Sequence, residues 1–241
     1  EHQMLMSFHQ QLGMEARPPI QWTEEGLWKT PHDSQPAFVM PAAGYLTSGP
    51  SGLTYHPGTG LTEREDNHFQ VCDYRGGNAN SGVYTFEMKP KGAGMEMAES
   101  RQLVWGVGAT DVEYDYKGRL LITDFMNGWT AHDKGQVLAL SAGDAAWRAE
   151  EGKEAAKLIR EGFGKSSATR IAASLKHPDM RVRLRAQIAL AKRPEGLAVL
   201  AGTAKSPDQL ERIHSLWGMG MIARRGSADA RKQATRSIVP Y

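Results

Sequence analysis

The sequence has little cysteine and no long hydrophobic run, and each absence excludes classes of protein. Cys72 is the only cysteine among 241 residues. This excludes an internal disulfide framework, a cysteine-rich zinc site and covalent c-type haem attachment, which needs Cys-x-x-Cys-His. No stretch approaches the roughly 18 uncharged apolar residues of a membrane-spanning helix, and residues 1–5 lack the basic and then apolar pattern of a secretory signal. We therefore expect neither a membrane span nor an export signal within this chain.

Charge is nearly balanced overall but unevenly distributed along the chain. The net charge is +2, yet residues 1–144 carry 10 Lys and Arg against 18 Asp and Glu, whereas residues 145–241 carry 19 against 9. Two domains of different kind are the simplest interpretation. The basic half contains Arg181-Val182-Arg183-Leu184-Arg185, which we interpret as a solvated helix surface. No aromatic residues alternate with these arginines, so nucleic acid is not expected as a partner.

The first half of the sequence predicts antiparallel β structure. Short apolar or alternating runs are separated by Gly, Asn, Asp and Pro, as is typical of antiparallel sheets. These runs are residues 69–72, 82–88, 110–114, 119–123 and 136–140. Two stretches share an order, and their aligned pairs Asp73-Tyr74 and Asp124-Phe125 lie 51 positions apart. A repeat of about 50 residues is typical of a β-propeller blade, with a β-sandwich as the alternative.

The second half changes to helical spacing. We predict that nine apolar residues line helix faces: Leu158, Ile159, Phe163, Ile171, Leu175, Val182, Leu184, Ile188 and Leu190. The pair Pro178-Asp179 recurs as Pro207-Asp208, 29 positions later. In each copy we expect Pro in the first helical turn and Asp at the positive end of the helix. Stacked helix pairs form a solenoid, and residues 230–241 resemble the start of a further unit, so we expect the native polypeptide to continue.

Two segments carry a resemblance to a known family. Residues 67–83, which read Asn-His-Phe-Gln-Val-Cys-Asp-Tyr-Arg-Gly-Gly-Asn-Ala-Asn-Ser-Gly-Val, resemble part of the large exported haem-binding proteins of planctomycete and verrucomicrobial bacteria. Those proteins are described as membrane-bound dehydrogenases. Residues 109–137 are similar to the last blade of that family's propeller. Residues 114–118 read Tyr-Asp-Tyr-Lys-Gly where such blades usually have Phe-Gly-Pro-Asp-Gly, which indicates a divergent member.

The resemblance implies a fold and a domain order. The fold is a set of β-propeller blades followed by an α-helical HEAT-like solenoid. Residues 1–48 are then a loop-rich excursion from a preceding blade, residues 49–143 are the carboxyl-terminal blades, and residues 144–241 are the helical repeats. Trp22 and Trp28 in the first segment are candidates either to wall a carbohydrate cleft or to cover the propeller edge.

The resemblance also implies cofactors and a location. The family's propeller is similar to that of soluble quinoprotein glucose and sorbosone dehydrogenases, so pyrroloquinoline quinone (PQQ) and Ca²⁺ are the implied cofactors. The family's carboxyl end usually carries a Cys-x-x-Cys-His cytochrome module. This chain has no such motif, so no residue here is assigned to haem attachment and c-type haem is expected only outside the chain. The implied location is exported, in the periplasm or at the cell surface.

Candidate site residues lie at the ends of predicted strands. Asp73 and Arg75 precede Gly76-Gly77, and Asp111 and Asp124 hold related places in the next unit. An arginine there is suited to a quinone carboxylate or another anion, and Asp73 and Asp124 are candidate Ca²⁺ ligands. Two further candidates lie in the segments that carry the resemblance, Asn78 and Trp129. The alternative is that the aspartates cap turns and satisfy backbone N–H groups.

The histidines divide into two sets. Three lie in or beside predicted loops and are candidate general bases, because the ordinary pKa of histidine is near 6.5: His56, His68 and His132. Three others are predicted to lie on the surface: His32, His177 and His214. No two histidines have the spacing of metal ligands, and none is assigned the catalytic role of the quinoprotein family's histidine.

Two functional interpretations remain open. About 140 residues supply some three blades, whereas a closed propeller takes at least four, so this chain alone cannot close one. In the first interpretation the chain is part of an exported sugar or alcohol dehydrogenase whose electrons pass to a haem module beyond Tyr241. In the second it is a noncatalytic protein-interaction module of a larger extracellular or cell-surface assembly. In both, the partner is the rest of a longer chain or other subunits, and a carbohydrate is the candidate substrate.

Overall fold

The computed structural model describes residues 26–27, 29–35, 37, 43–126 and 134–239, and its elements change from strands to helices along the chain. Seven strands come first among these residues: β1 (Pro50–Tyr55), β2 (His68–Asp73), β3 (Gly82–Lys91), β4 (Gly94–Trp105), β5 (Ala109–Tyr114), β6 (Leu120–Asp124) and β7 (Gln136–Leu140). Six α-helices follow: α1 (Ala149–Glu161), α2 (Ala168–Ala173), α3 (Met180–Ala191), α4 (Gly196–Thr203), α5 (Gln209–Arg225) and α6 (Ala228–Ile238). The predicted order of antiparallel β structure and then helices is confirmed.

The strands form two antiparallel sheets. One has four strands in the order β1-β2-β3-β4, and the other has three in the order β5-β6-β7. β3 pairs with β4 from Gly82 opposite Trp105 to Lys91 opposite Gly94. β4 is absent from the predicted strands, because none of its side chains is buried and no clear alternation of apolar and polar residues marks it. Closure of these sheets into a propeller stays a prediction.

The described residues form two compact units whose segments alternate in sequence. One unit contains the described residues through Leu53 together with Phe69–Asp111 and Thr123–Gln136. The other contains Thr54–His68, Val112–Ile122 and the described residues from Val137 onward. The loop after β1 and the turn between β5 and β6 therefore belong to the same unit as the helices. The boundaries predicted from the sequence, after residues 48 and 143, stay predictions.

The helices enclose an apolar core. Of the nine residues predicted to line helix faces, six are buried: Leu158, Phe163, Ile171, Leu175, Val182 and Leu190. Burial of each leucine or isoleucine stabilises the fold by about 1.5–3 kcal/mol. Leu184 lies outside this core and is 47% exposed. The reason is that α3 carries apolar residues on two faces, with Val182, Ala186 and Leu190 buried in the core and Leu184 on the opposite side.

α3 and α5 begin in the same way. Asp179 is the N-cap of α3 and accepts a hydrogen bond from the backbone N–H of Arg181, and Asp208 caps α5 by accepting from Glu211. The prolines precede these caps, so they lie outside the first helical turn, contrary to the sequence-based expectation. An aspartate N-cap stabilises a helix by about 1 kcal/mol relative to alanine.

The fourth residue of each of these helices is an arginine that turns back on the preceding loop. Nη1 of Arg183 donates to the carbonyl oxygens of His177 and Pro178, at 2.6 Å each. Nη1 of Arg212 donates to those of Ser206 and Pro207, at 2.8 and 2.7 Å. The 29-residue repeat of the sequence is therefore also a repeat of hydrogen bonds. Membership of the HEAT class stays a prediction.

Candidate functional site

Asp73, at the end of β2, ties this strand to the start of β1. Its side chain is fully buried. Oδ1 accepts hydrogen bonds from the backbone N–H groups of Ser48 and Gly49, at 3.2 and 2.8 Å. The backbone N–H of Tyr74 donates to the carbonyl oxygen of Gly49 at 2.8 Å. These contacts satisfy backbone groups that have no partner in the strand ladder.

Asp124 holds the same position in the second sheet. Its Oδ1 accepts from the N–H of Gly108 at 2.9 Å, and the N–H of Phe125 donates to the carbonyl oxygen of Gly108 at 2.8 Å. Both glycines are required by close backbone approach. A Cβ atom would lie 2.0 Å from the carbonyl oxygen of Tyr74 at Gly49, and 2.6 Å from that of Phe125 at Gly108. The repeat predicted from the two aligned pairs thus has a matching set of contacts.

The second carboxylate oxygens of the two aspartates also have partners. Oδ2 of Asp73 accepts from Nε and Nη2 of Arg75, at 2.8 and 2.6 Å. Oδ2 of Asp124 accepts from Nε2 of Gln136 at 2.8 Å. These contacts favour the capping alternative, and they do not fit Ca²⁺, which takes six to eight oxygen ligands. Across residues 43–126 and 134–239 and the shorter described segments, no group of three or more His, Cys, Asp or Glu is arranged to hold a metal ion.

Arg75 is the candidate with a charged group at the surface. Its side chain is 37% exposed, and its guanidinium lies over the ring of Trp105, 5.8 Å from the ring centroid. The hydrogen bond to Asp73 raises the pKa of Arg75, so the guanidinium stays charged. A cation between a carboxylate and an aromatic face is well oriented for a planar anion.

The remaining candidates are not brought together into one site. Asn78 lies beside Asp124, and its Oδ1 is buried without a hydrogen-bond partner in the described part of the chain. Asp111 is exposed on β5. Burial, and then the charge of Asp111, raise the pKa of the Cys72 thiol to about 12, so this thiol is unreactive. Trp129 lies outside the described residues, as do Trp22, Trp28 and His132.

A buried ion pair at the start of α3 is absent from the sequence-based predictions. Asp179 is fully buried and accepts from Nε and Nη2 of Arg181, at 3.0 and 2.7 Å, and from Oγ1 of Thr59 at 2.7 Å. Nη1 of Arg181 donates to the carbonyl oxygens of Tyr114 and Asp115. Burial by itself raises the pKa of Asp179, but the hydrogen bonds and charge of Arg181 and the bond from Thr59 outweigh it and lower that pKa. The pair fastens the loop after β1 and the β5–β6 turn to α3.

The interpretation of residues 181–185 as a solvated face is therefore wrong for two of its three arginines. Arg181 and Arg183 are held by the contacts described above, and Arg185 is exposed. One sequence feature could have indicated a structural role for Arg183. In both helix starts an Asp is followed four residues later by an Arg, a spacing that a solvated face does not require.

The surface prediction is also wrong for two histidines. His177 and His214 are buried, whereas His32 is exposed. Nε of Arg183 donates to Nε2 of His214 at 3.2 Å, so His214 carries its proton on Nδ1, which donates to Oε1 of Gln187 at 2.8 Å. Burial, and then the charge of Arg183, lower the pKa of His214 to about 4.

His56, a candidate general base, is also fully used in structural contacts. Its Nε2 donates to the carbonyl oxygen of Gly60 at 3.1 Å, and its Nδ1 accepts from the N–H of Gly58 at 3.2 Å. Burial lowers its pKa and is only partly offset by the hydrogen bond to Gly60 and by nearby carboxylates, Asp66 first among them. His56 is therefore neutral, and neither ring nitrogen is free to take a proton from a substrate.

A groove of about 550 Å³ lies between the β5–β6 turn, α1 and α3, and we name it the apolar groove. Its apolar lining consists of Tyr114, Tyr116, Ile159, Met180, Leu184 and Ile188. The two remaining lining residues are Arg181 and Arg185. Arg185 makes no ion pair with any other described residue. All of these residues belong to the unit that contains the helices.

No protein family, curated protein or solved structure matches this chain. Of the helices that the structure describes, none has the length and apolar composition that crossing a membrane would require.

Proposed function

We propose that this chain is a noncatalytic binding module of a larger protein or assembly, and that its apolar groove binds an acidic, amphipathic segment of a partner protein. The observation that carries this proposal is the exposure of three large apolar side chains in one groove. Tyr116, Met180 and Leu184 are 41%, 39% and 47% exposed. Apolar side chains grouped on a concave surface are typical of interaction sites.

The spacing of the exposed side chains favours a helical partner segment. Met180, Leu184 and Ile188 lie at positions i, i+4 and i+8 of α3, so they form one stripe along the helix. A second amphipathic helix fits such a stripe by placing its own apolar face into the groove.

The charges around the groove favour an acidic partner. Arg185 is exposed there without a carboxylate partner among the described residues, and residues 145–241 carry 19 basic against 9 acidic residues. Opposite charge on the partner accelerates encounter and fixes orientation. The same charge would disfavour a basic segment, which gives the experiment its control peptide.

The experiment measures fluorescence anisotropy of two synthetic peptides of about 16 residues with leucine at i, i+3, i+4 and i+7. One peptide has glutamate on its polar face and the other has lysine. We expect the full chain to bind the glutamate peptide and Leu184→Asp to weaken this binding about tenfold or more. Val137→Asp changes an exposed side chain of β7 outside the groove and is expected to leave binding unchanged.

Failure of the glutamate peptide to bind, or equal binding of the lysine peptide, contradicts the proposal. Equal losses in Leu184→Asp and Val137→Asp also contradict it, because binding would then not depend on the groove. Circular dichroism of each variant establishes that the helices are retained.

The exported sugar or alcohol dehydrogenase is the second candidate function, and Arg75 is the observation that favours it. Its exposed guanidinium beside Trp105 is suited to an anionic quinone such as PQQ. Absorbance titration with PQQ tests this candidate. Arg75→Ala should abolish binding, whereas Arg119→Ala, which breaks a similar Arg–Asp pair with Asp115, should not. A carbohydrate substrate, a c-type haem outside the chain and export to the periplasm or cell surface belong to this candidate.

A further inference from the structure

A second cleft, of about 360 Å³, lies between the loop after β1, the residue before α1 and the start of α3, and we name it the arginine cleft. Its polar lining is Tyr55, His56, Asp66, Asn67, Arg148 and Arg183. These residues are all in the unit that contains the helices. None of these polar residues lines the apolar groove, although Met180 lines both sites and the two therefore adjoin.

Arg183 brings a positive charge into this cleft without a neutralising partner. Its three hydrogen-bond acceptors are neutral, namely two carbonyl oxygens and Nε2 of His214. Within the described part of the chain no carboxylate lies within 4 Å of its guanidinium, and Nη2 makes no hydrogen bond. Burial lowers the pKa of Arg183, the carboxylates of Asp179 and Asp208 raise it in part, and the charge of Arg148 lowers it further. Both arginines line the cleft.

Arg148 has one carboxylate nearby, at the limit of an ion pair. Its guanidinium lies over the ring of Trp147, 5.1 Å from the centroid, which fixes its position. The only described carboxylate near it is that of Asp66, whose Oδ2 lies 4.0 Å from Nη2, too far for a hydrogen bond. The guanidinium of Arg148 and Nη2 of Arg183 therefore offer donors to the same cleft, which suits an oxyanion.

The other polar groups of the cleft accept hydrogen bonds. His56 is neutral and adds no charge, as described above. Asp66 is the one carboxylate that lines the cleft, and its side chain is 22% exposed. Asn67 contributes an amide whose Oδ1 accepts from the hydroxyl of Tyr55 at 3.3 Å. A carboxylate beside two cations disfavours a bare anion but can accept a hydrogen bond from a hydroxyl group of the same ligand.

We propose that the arginine cleft binds a small hydroxylated anion, in which a carboxylate or phosphate group lies between Arg148 and Arg183 and a neighbouring hydroxyl donates to Asp66. Sugar acids and sugar phosphates have this chemistry. The cleft has room for one such molecule, since a volume of about 360 Å³ is at the lower end of the range for small-molecule sites. This site is independent of the peptide-binding function proposed above.

The experiment is isothermal titration calorimetry of the full chain at low salt with D-glucuronate, glucose 6-phosphate, acetate and D-glucose. We expect glucuronate or glucose 6-phosphate to bind, with acetate weaker and neutral D-glucose not bound. The stronger of the first two identifies the preferred anion, and either preference supports the proposal. Binding of D-glucose as tightly as of the anions, or no binding of either hydroxylated anion at about 20 mM, overturns it, since charge-assisted contacts should give detectable affinity there.

Variants distinguish binding by these two arginines from a general effect of positive charge on the protein. Arg148→Gln removes the charge and leaves a shorter, polar side chain, and we expect at least a tenfold loss of affinity for the bound anion. Arg170→Gln removes an exposed charge of α2 outside the cleft and should have no effect. Equal losses in both variants overturn the proposal. Arg183→Lys keeps the charge but removes the open Nη2 donor, and we expect it to weaken binding while circular dichroism shows the helices retained.

Asp66→Asn tests the hydroxyl contact. This variant removes the repulsion between Asp66 and the ligand anion, so we expect acetate to bind more tightly and the advantage of glucuronate over acetate to shrink. An unchanged advantage shows that Asp66 is not the hydroxyl acceptor and overturns that part of the proposal. The result does not depend on the apolar groove, because Leu184→Asp should leave anion binding unaltered.

Discussion

Single residues decide how the helices are joined to the loops of the β region within one compact unit. The side chain of Asp179 is fully buried and accepts four hydrogen bonds, one from Thr59 and three from the side chain and backbone N–H of Arg181. Asp208 caps α5 in the equivalent position without an arginine pair. The two positions therefore separate the contribution of a helix cap from that of a buried ion pair.

We predict that Asp179→Asn lowers the free energy of unfolding by about 3 kcal/mol, because it leaves the largely buried guanidinium of Arg181, 20% exposed, without its carboxylate. Asparagine retains a side-chain oxygen for the cap. Asp208→Asn is the matched control and should change stability by less than about 1 kcal/mol, since asparagine and aspartate are similar N-caps. Urea unfolding monitored by circular dichroism measures both. Equal effects of the two substitutions would show that the ion pair contributes nothing beyond the cap.

The individual roles of the aspartates were only partly predictable. Two roles are open to Asp73 and Asp124 from their places in the sequence, because a carboxylate at a strand end suits a ligand and a backbone N–H equally well. The structure favours the second role, since every oxygen of both carboxylates has a partner. The sequence gives no information about which carbonyl or N–H group a side chain meets across a sheet.

At the level of elements, the two sheets repeat one arrangement of glycine, aspartate and aromatic residue. Gly49, Asp73 and Tyr74 correspond to Gly108, Asp124 and Phe125. The rings of Tyr74 and Phe125 also contact each other edge to face, 6.0 Å between centroids. The 51-residue repeat in the sequence therefore corresponds to the same set of hydrogen bonds between strand ends, present once in each sheet.

We predict that Gly108→Ala destabilises the protein by at least about 1–3 kcal/mol, because the new Cβ would lie 2.6 Å from the carbonyl oxygen of Phe125 and the backbone must shift. Gly77→Ala is the control. A Cβ there meets nothing within 4 Å and the backbone is extended, so stability should stay the same or rise slightly. Thermal unfolding of the two variants compares them directly, and a Gly108→Ala protein as stable as the parent would contradict the proposed crowding.

The whole molecule should lose stability in mild acid. His56, His177 and His214 are buried, and burial is the main cause that lowers each pKa below 6.5. The folded state thus keeps these rings neutral while the unfolded chain takes up protons near pH 6.5. Their contribution to stability is complete above that pH and is lost as the pH falls toward the folded values. For His214, with a pKa of about 4, the loss between pH 7 and pH 5 is about 2 kcal/mol.

We predict that the free energy of unfolding, measured in urea, falls between pH 7 and pH 5 and that His214→Gln makes this fall smaller. The quantity compared is the slope of the free energy of unfolding against pH. A substitution that only removed a packing contact would lower stability equally at every pH and would not change this slope. His32→Gln replaces an exposed histidine and should leave the slope as it is. An unchanged slope in His214→Gln would mean that His214 is protonated equally in the folded and unfolded chains.

The sequence by itself determined the order of antiparallel strands and then helices, both internal repeats and most of the helical core. These follow from the spacing of apolar residues and turn residues, which is a local property of the chain. It did not reveal β4, because a strand with no buried side chain lacks alternation. Nor did it reveal the Asp179–Arg181 pair, the buried His177 and His214, or the arginine cleft.

Only the tertiary structure decided those features, because each depends on residues far apart in the chain. Thr59 meets Asp179 across 120 positions, and Arg181 reaches Tyr114 across 67. Leu184 is exposed because the opposite face of α3 is the one that packs on the core. A local pattern tells which residues can be buried, but burial and charge pairing are settled by the elements that finally pack against them.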